Sequence, residues 1–514
     1  MKFSRLFVAL LFFGGAAFAA SPASINNDDS CDIKVGPAAT LLLPYFEVDT
    51  TGATGQTTYF TITNVTRYPQ IAHVTLWTDW AYPVLSFNIF LTGYDVQAIN
   101  LYDVIVRGIV AAPSGTAASR RRSQSPPSGG NLRARLDCAG APATLPASVL
   151  AEVRNALRTG VFNPGGGISS CGTVGGVHSN AIGYATIDVV AGCTNLLPSD
   201  PAYYTTDLLF DNVLIGDYQQ LGGSPSGTGP SLGFDAAGNP MVHIRAVPEG
   251  GGAGSAAGAP PETNLPYTFY DRFTPAANRT IDRRQPLPAN FAARFISGGR
   301  DAYATNFTIW REGATGTDAS CASNLKNGAM TVAEIIRFDE HENPFTLGGF
   351  VNCTCFFPPT TLPATSSTAS SSTLFPAMLT PDIGGWLYLN LNNGGSTTYS
   401  VTRNIGGVRL PTNGRTSLAP AESTTSIGPR PSQAWMTVTM FGSFGTSRVT
   451  SELDAAPLGN GCSPASFLNG GVTSGIVPIS PIAPAGGLFV CPPNTTLTNG
   501  TTTQCIGTNV NPNP

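Results

Sequence analysis

The sequence predicts a mainly β protein folded as two tandem β-sandwich domains, with long loop insertions and one short helix. Short segments alternate apolar and polar residues, as in Thr58-Tyr-Phe-Thr-Ile-Thr63, and Gly, Pro or Asn separates them. The chain has 58 Gly and 42 Pro among 514 residues, which favours many turns over long helices. Hydrophobic residues make up 42% of the chain and charged residues 11%, so a buried core is expected. These features are typical of layered antiparallel sheets.

The N-terminal segment has the features of an export signal. Lys2 and Arg5 give it positive charge, an apolar run covers residues 6–13, and Ala17-Phe18-Ala19 is a small-x-small cleavage site. The apolar run is shorter than the roughly 20 residues of a membrane-spanning helix. We therefore expect a signal peptide over residues 1–19, cleaved after Ala19 or Ala20. The mature chain is expected to be secreted to the periplasm, the cell surface or the medium, with no transmembrane segment.

Residues 31–249 are predicted to form the first β-sandwich. Its alternating segments cover residues 40–48, 58–63, 72–77, 85–91, 184–190, 212–215 and 241–247. An insertion at about 109–180 interrupts them with a polar loop, which contains Arg120-Arg121-Arg122, and then with one helix over residues 145–158. Apolar residues recur at helical spacing in that helix, and Gly160 is placed to end it. The arginine run is either a processing site, a contact for an acidic surface or a solvated charge run.

Residues 262–460 are predicted to form the second β-sandwich, after a Gly/Ala/Pro linker. Its alternating segments cover residues 291–296, 305–310, 333–338, 386–391 and 435–441. A Thr/Ser/Pro stretch at about 356–380 is expected to be a long exposed loop. The remaining residues, 461–514, hold three cysteines and few hydrophobic residues, which indicates a C-terminal tail pinned by disulfides.

Two pairs of segments indicate that the sandwiches are copies of one unit. Thr58-Tyr-Phe-Thr-Ile is similar to Thr305-Asn-Phe-Thr-Ile, and Gly183-Tyr-x-x-Ile-Asp-Val is similar to Gly385-Trp-x-x-Leu-Asn-Leu. The alternative is that short alternating strands all look alike. The place of the Thr58 and Thr305 strands in the topology decides between the two interpretations.

The cysteine content predicts a disulfide framework. All ten cysteines follow the signal peptide: Cys31, Cys138, Cys171, Cys193, Cys321, Cys353, Cys355, Cys462, Cys491 and Cys505. An even number in an exported chain predicts up to five disulfides, whose connectivity the sequence leaves open. Local spacing favours Cys171–Cys193 and Cys491–Cys505, with Cys321 bonded to Cys353 or Cys355. Zinc is disfavoured because Cys353 and Cys355 are too close in sequence for an ordinary zinc knuckle.

Several segments resemble exported bacterial proteins of unassigned function. They are the run from Ala39 to Asp49, His73-Val-Thr-Leu-Trp-Thr-Asp-Trp80 and Phe90-Leu-Thr-Gly-Tyr-Asp95, joined by residues 211–217 and 458–462. The strand pattern is also similar to immunoglobulin-like and fibronectin-like sandwiches. The resemblance implies export from a bacterium and an immunoglobulin-like fold. It implies no activity and no site residues.

Two surfaces are candidate binding sites. His73, Trp77, Asp79 and Trp80 combine aromatic rings with a carboxylate, and strand alternation places the first three on one face. Exposed in this way, they would stack a sugar ring; the alternative is that the tryptophans fill the core. The carboxylates of Asp339, Glu340 and Glu342 are hard oxygen ligands suited to Ca²⁺. They lack the spacing of a calcium loop, so a solvated turn is the alternative.

The candidate functions follow from what the chain contains and lacks. The sequence contains no zinc-protease motif and no phosphate loop. A net charge of −4 disfavours nucleic acid as a partner. The sequence favours a non-enzymatic secreted or cell-envelope protein with a structural or adhesive role, needing no cofactor beyond Ca²⁺ at the acidic run. It would bind other envelope or extracellular proteins, glycans or further copies of itself through strand edges. The alternative is a secreted hydrolase acting on polysaccharide or protein.

Overall fold

A computed structural model describes much of the chain between residues 33 and 504. The described residues are 33, 35–52, 55–110, 144–163, 171–198, 200, 202–221, 239–246, 268–270, 282, 284–299, 303–312, 330–331, 334–342, 344–347, 361–362, 366–370, 374, 384–391, 399–403, 409–412, 415–418, 423–427, 433–444, 447–458, 497–499 and 502–504. Over these residues the protein is mainly β, as predicted. Two α-helices, α1 (Leu101–Ile105) and α2 (Ala147–Thr159), and a π-helical turn (Tyr203–Asp207) accompany the strands. None of the described helices has the length and apolar character needed to cross a membrane.

Two antiparallel sheets are built from the first half of the chain. Sheet A contains, in spatial order, β11 (Val242–Ile244), β1 (Thr40–Val48), β8 (Ala181–Val190), β3 (Gln70–Thr78) and β4 (Pro83–Leu91). Sheet B contains β10 (Asn239–Pro240), β9 (Leu214–Leu221), β2 (Thr57–Asn64) and β5 (Val96–Asn100). Alternate residues of the two sheets, such as Ile187 and Phe60, share one buried apolar core. Period-two alternation produces this layering because it gives each strand one apolar face.

Two further antiparallel sheets are built from the second half. Sheet C contains, in spatial order, β16 (Pro344–Leu347), β15 (Glu334–Phe338), β19 (Gly384–Asn390), β12 (Asn290–Ile296) and β26 (Ala456–Pro457). Sheet D contains β18 (Ser366–Ser370), β13 (Ala304–Arg311), β24 (Ala434–Phe444) and β25 (Ser447–Asp454). Phe291 and Leu389 of sheet C and Phe307 and Val438 of sheet D belong to one apolar core. That core continues into the face of sheet A that is turned away from sheet B, through Trp77 and Tyr184.

The remaining described strands form small two-stranded sheets. They are β6 (Val161–Phe162) with β7 (Cys171–Thr173), β14 (Met330–Thr331) with β17 (Thr361–Leu362), β20 (Tyr399–Arg403) with β23 (Ser423–Ile427), β21 (Arg409–Thr412) with β22 (Arg415–Leu418), and β27 (Leu497–Asn499) with β28 (Thr502–Gln504). Their small size means that the four large sheets hold the apolar cores.

The strand orders of the two halves are the same. Sheet A becomes sheet C when β11, β1, β8, β3 and β4 are replaced, in that order, by β26, β12, β19, β15 and β16. Sheet B becomes sheet D when β10, β9, β2 and β5 are replaced, in that order, by β25, β24, β13 and β18. The strands of Thr58 and Thr305 therefore occupy the same place in the topology. The predicted equivalence of these segments is confirmed at this level.

Individual contacts repeat as well. The hydroxyl of Thr58 accepts a hydrogen bond from the amide of Glu47 at 3.0 Å and donates one to its carbonyl at 3.2 Å. The hydroxyl of Thr305 makes the same two hydrogen bonds with Ile296, at 2.8 and 2.9 Å. In the first half a threonine thus joins β2 of sheet B to the end of β1 of sheet A. In the second half a threonine joins β13 of sheet D to the end of β12 of sheet C in the same way.

The predicted helix is confirmed and the predicted Thr/Ser/Pro loop is wrong in part. Helix α2 begins at Ala147 and ends before Gly160, whose positive φ of 68° and amide bond to the carbonyl of Ala156 close it as expected. Within the stretch 356–380, however, residues 366–370 form strand β18 of sheet D, and Ser366 is buried. Their main-chain pairing with β13 makes a strand of residues that carry no apolar alternation.

Four other predictions reach, wholly or in part, outside the described part of the chain. Arg120, Arg121 and Arg122 lie there, as do the signal peptide and most of the tail. Cys193 is half-buried and disulfide-bonded, with its partner outside the described side chains. Its pairing with Cys171, and the remaining disulfides, stay predictions.

Candidate functional site

The predicted aromatic surface on β3 is not a surface. His73 and Trp77 are fully buried because β3 lies between β8 and β4 and its outer face is covered. Tyr203 packs against the His73 ring, and Trp77 belongs to the core shared with the second half. The Trp77 indole lies parallel to the Tyr184 ring at a centroid distance of 5.7 Å and donates to the Thr186 hydroxyl at 2.9 Å. The sugar-stacking hypothesis for the set His73, Trp77, Asp79 and Trp80 is therefore wrong for its central rings. Trp80 is half-buried, in the turn that follows β3.

Asp79 instead forms a carboxylate–imidazole pair with His178. Its Oδ2 lies 2.9 Å from Nε2 of His178, and its Oδ1 accepts the amide of Gly176 at 3.0 Å. The Asp79 side chain is buried, whereas that of His178 is 26% exposed. A buried carboxylate that orients a solvent-accessible imidazole is the arrangement of the base and its orienting acid in nucleophilic hydrolases.

Two glycines make this pair possible. A Cβ atom at Gly175 would lie 2.9 Å from Oδ1 of Asp79, and one at Gly176 would lie 2.7 Å from Nε2 of His178. A side chain at either position would separate the carboxylate from the main chain that binds it. The segment after β7 is thus folded closely around Asp79.

The predicted calcium site is the equivalent turn of the second half. Ala81 and Glu342 both have a φ of 63°, and each donates its amide to a carbonyl three residues earlier, that of Thr78 at 3.0 Å and that of Asp339 at 3.1 Å. In the second turn, Asp339 is buried and its Oδ1 accepts the amide of His341 at 2.8 Å. The two predicted sites are therefore one turn, present in each half.

The carboxylates of this second turn do not converge. Over the described residues, no group of three or more His, Cys, Asp or Glu side chains is arranged to hold a metal ion. Glu340 and Glu342 are exposed, while Asp339 is turned toward the main chain. The calcium hypothesis for Asp339, Glu340 and Glu342 has no geometric support, and the solvated turn is the better interpretation.

The most extensive polar cluster is buried between sheet A and the second half. The carboxylate of Asp188, on the outer face of β8, accepts hydrogen bonds from the hydroxyls of Thr40 at 2.5 Å, Tyr203 at 2.6 Å and Tyr270 at 2.9 Å. Its Oδ1 also accepts Nη1 of Arg284 at 3.2 Å. This carboxylate therefore has four donors and no contact with solvent.

Arg284 completes the cluster from the segment that precedes β12, where it is bridged to Ala246. Its Nε donates to Asp282 at 2.9 Å, and its guanidinium lies 4.3 Å from the ring centroid of Tyr270. Burial lowers the pKa of Arg284, but Asp282 and Asp188 outweigh that effect and raise it above its usual value. Burial, reinforced by Asp188, raises the pKa of both Tyr203 and Tyr270 well above 10. The phenols and the guanidinium thus stay protonated and act as fixed donors.

No protein-family model, curated protein or solved structure matches this chain.

The residues that sequence reasoning missed are the distant partners. His178 is 99 residues from Asp79, and Arg284 is 96 residues from Asp188. Asp188 stands at an apolar-strand position where a charged residue is uncommon, and that anomaly was the one available signal. His178 carried none, because it lies in a short irregular segment.

Buried histidines give the fold a predictable pH response. Burial lowers the pKa of His73 below its ordinary 6.5, although the hydrogen bond to Asn88 and the charge of Asp188 oppose this, and burial also lowers that of His243. The unfolded chain therefore binds more protons than the folded one below about pH 6.5. We expect full stability above that pH and a loss of about 1 kcal/mol per pH unit for each such histidine below it, until the folded pKa is reached.

Chemical denaturation of the wild type and His73→Gln between pH 7.5 and 5 checks this expectation. The loss of unfolding free energy on acidification should be smaller in His73→Gln. Val177→Ala, which alters an exposed residue without an ionisable side chain, should retain the wild-type pH dependence. An identical slope in all three proteins would contradict the role of His73.

Proposed function

We propose that this chain is an exported, non-enzymatic structural or adhesive protein of the cell envelope, made of two tandem immunoglobulin-like β-sandwiches. The sandwiches would occupy residues 31–249 and 262–460 and bind other envelope proteins, glycans or further copies of the chain. The observation that carries the proposal is the use of the buried charges. Asp188 and Arg284 form a fully buried ion pair between β8 and the segment that precedes β12, with neither exposed to a substrate.

The sheet architecture supports the tandem-sandwich part of the proposal. Sheets A and B enclose one apolar core, sheets C and D enclose another, and the strand orders of the two pairs match. Aligned sheet pairs with antiparallel strands are the architecture of many surface-exposed binding modules. A scaffold of this kind presents strand edges and loops to partners while its interior stays closed.

The pair of Asp79 and His178 favours a second candidate, a secreted hydrolase. The imidazole is accessible and correctly oriented for a general base. A hydrolase of this type also needs a nucleophile beside the base. Among the described residues, no Ser, Thr or Cys side chain is hydrogen-bonded to the His178 ring. The pair is then a clamp that fastens the segment after β7 to the turn after β3.

An activity screen separates the two functions. The purified chain should not hydrolyse polysaccharides, peptides or esters above background, and His178→Ala should behave in the same way. His341→Ala is the matched control, because it removes an exposed histidine near the equivalent turn. A hydrolytic activity that disappears in His178→Ala and persists in His341→Ala would overturn the non-enzymatic proposal. The expected reason for inactivity is that the His178 base has no adjacent hydroxyl or thiol among the described residues to deprotonate.

A further inference from the structure

The two halves contact each other where the end of sheet D packs on the outer face of sheet A. In sheet A, the outer row of Trp77 and Tyr184 receives the end of sheet D, where Trp310 packs edge-on against Tyr184 at 5.9 Å between ring centroids. Ser366 of β18 adds polar contacts, because its hydroxyl donates to the carbonyl of Pro44 at 2.6 Å and its amide to that of Asp79 at 3.2 Å. The outer face of one sandwich thus binds the end of the other sandwich's second sheet.

The equivalent row of sheet C is open. The strand register makes Phe338 the counterpart of Trp77 and Trp386 the counterpart of Tyr184. Tyr184 is 1% exposed, whereas Trp386 is 42% exposed and lies under the exposed guanidinium of Arg294, 4.5 Å from its ring centroid. The next row of sheet C is buried. The exposed part of this face of sheet C is therefore the row of Phe338 and Trp386. It corresponds to the row of sheet A that contacts sheet D. We call Arg294, Phe338, Glu340 and Trp386 the open face.

The equivalent end of sheet B is also open. Trp310 pairs with Ser366 across β13 and β18, and Thr63 pairs with Val96 at the same place across β2 and β5. Val96 is 57% exposed, and two exposed tyrosines, Tyr68 and Tyr94, lie in the adjoining turns. We call Arg67, Tyr68, Tyr94, Asp95 and Val96 the open end.

The open end is held in one shape. The amide of Tyr94 donates to the carbonyl of Thr66 at 2.8 Å, and the Asn64 side chain bridges the carbonyls of Tyr68 and Thr92 at 2.6 and 2.9 Å. The Arg67 guanidinium lies 4.7 Å from the Tyr68 ring centroid. Rings fixed in this way lose little conformational entropy on binding.

Both surfaces carry apolar rings and one charge of each sign. The open face has Arg294 and Glu340, and the open end has Asp95 and Arg67. Four of the eight large hydrophobic residues that are exposed among the described ones belong to these two surfaces: Tyr68, Tyr94, Val96 and Trp386. Isolated exposed hydrophobics are ordinary, but their concentration at two equivalent contact positions indicates an interface.

We propose that copies of this chain associate head to tail, with the open face of one copy bound to the open end of the next. The intermolecular contact would repeat the geometry of the contact between the two halves, with Val96 in the place of Ser366 and Trp386 in the place of Tyr184. Because the two surfaces differ, the contact is heterologous and extends into chains of copies. This inference rests on the proposed structural function and names its partner.

Complementation between two variants tests the proposal. Sedimentation velocity of the wild type should show oligomers that grow with concentration. Trp386→Arg removes the open face, and Val96→Arg removes the open end. Each variant alone should remain monomeric, with association weakened at least tenfold, as expected for the loss of a central interface residue. A mixture of the two should form a 1:1 dimer and nothing larger, because each supplies one intact surface.

Val177→Arg is the matched control, since Val177 is 81% exposed and lies outside both surfaces. It should assemble like the wild type. Dimer formation in the mixture also shows that both variants are folded. A monomeric wild type, variants that assemble alone, or a mixture without dimers despite cooperative thermal unfolding of both variants would overturn the proposal. None of these results bears on hydrolysis by a His178-dependent site, so the failure of the assembly and the failure of the proposed function are distinguishable.

Discussion

Replacing Asp188 by alanine is expected to lower the free energy of unfolding by about 3–5 kcal/mol, the usual cost of breaking a buried ion pair from one side. Among the described residues, the substitution leaves the guanidinium of Arg284 with Asp282 as its only anionic partner, and the Arg284 side chain is fully buried. It also leaves the hydroxyls of Tyr203 and Tyr270 without their common acceptor. An unpaired buried polar group costs more than a hydrogen bond contributes, so the losses accumulate at this one position.

Urea denaturation of Asp188→Ala beside Asp103→Ala measures this cost. Asp103 pairs with Arg107 at 2.8 Å, but both side chains are substantially exposed, so its loss is expected to cost less than about 1 kcal/mol. The double variant Asp188→Ala/Arg284→Met should recover part of the stability, because it removes the orphaned cation as well. Similar losses for Asp188→Ala and Asp103→Ala would contradict a large contribution of the buried cluster to stability.

The strands with regular alternation were predictable because the signal is local. Residues 40–48 and 305–310 become β1 and β13 within a residue or so of the predicted bounds. Strand β18 was not predictable, because Ser366-Ser-Thr-Ala-Ser370 has no apolar face. It is a strand because β13 pairs with it and because Pro44 and Asp79 accept from Ser366. Its structure comes from tertiary contacts that no local window contains.

The site residues illustrate the same limit. Alternation placed His73 and Trp77 on one face of β3, yet it could not tell that distant parts of the chain cover that face. Strands of sheet A are buried on both faces, and buried polar residues such as His73 and Asp188 are stable there only when specific partners bind them. Those partners, Asn88 for His73 and Arg284 for Asp188, come from other parts of the chain. The equivalence of the two halves was predictable because the segments that begin at Gly183 and Gly385 have similar sequences.

Gly183→Ala and Gly385→Ala are expected to destabilise the protein to a similar extent, by about 2–4 kcal/mol each, at the upper end of what overpacking costs. A Cβ atom at Gly183 would lie 2.0 Å from the carbonyl oxygen of Trp77 and 2.9 Å from Cζ of Phe46. At Gly385 it would lie 2.1 Å from the carbonyl oxygen of Phe338 and 3.0 Å from Cζ of Phe295. In both halves the obstacle is main chain in the middle of a sheet, which cannot move aside as a side-chain tip can.

Thermal and urea unfolding of the two variants, with Gly36→Ala as control, decides the point. A Cβ atom at Gly36 would meet no other atom within 4 Å, so this substitution should change stability by no more than about 0.5 kcal/mol. If only Gly183→Ala is costly, the two halves share a strand order without sharing the packing that defines the unit. Equal losses would mean that each half keeps the same obligatory contact, in which a ring on the first strand crosses over a glycine on its neighbour.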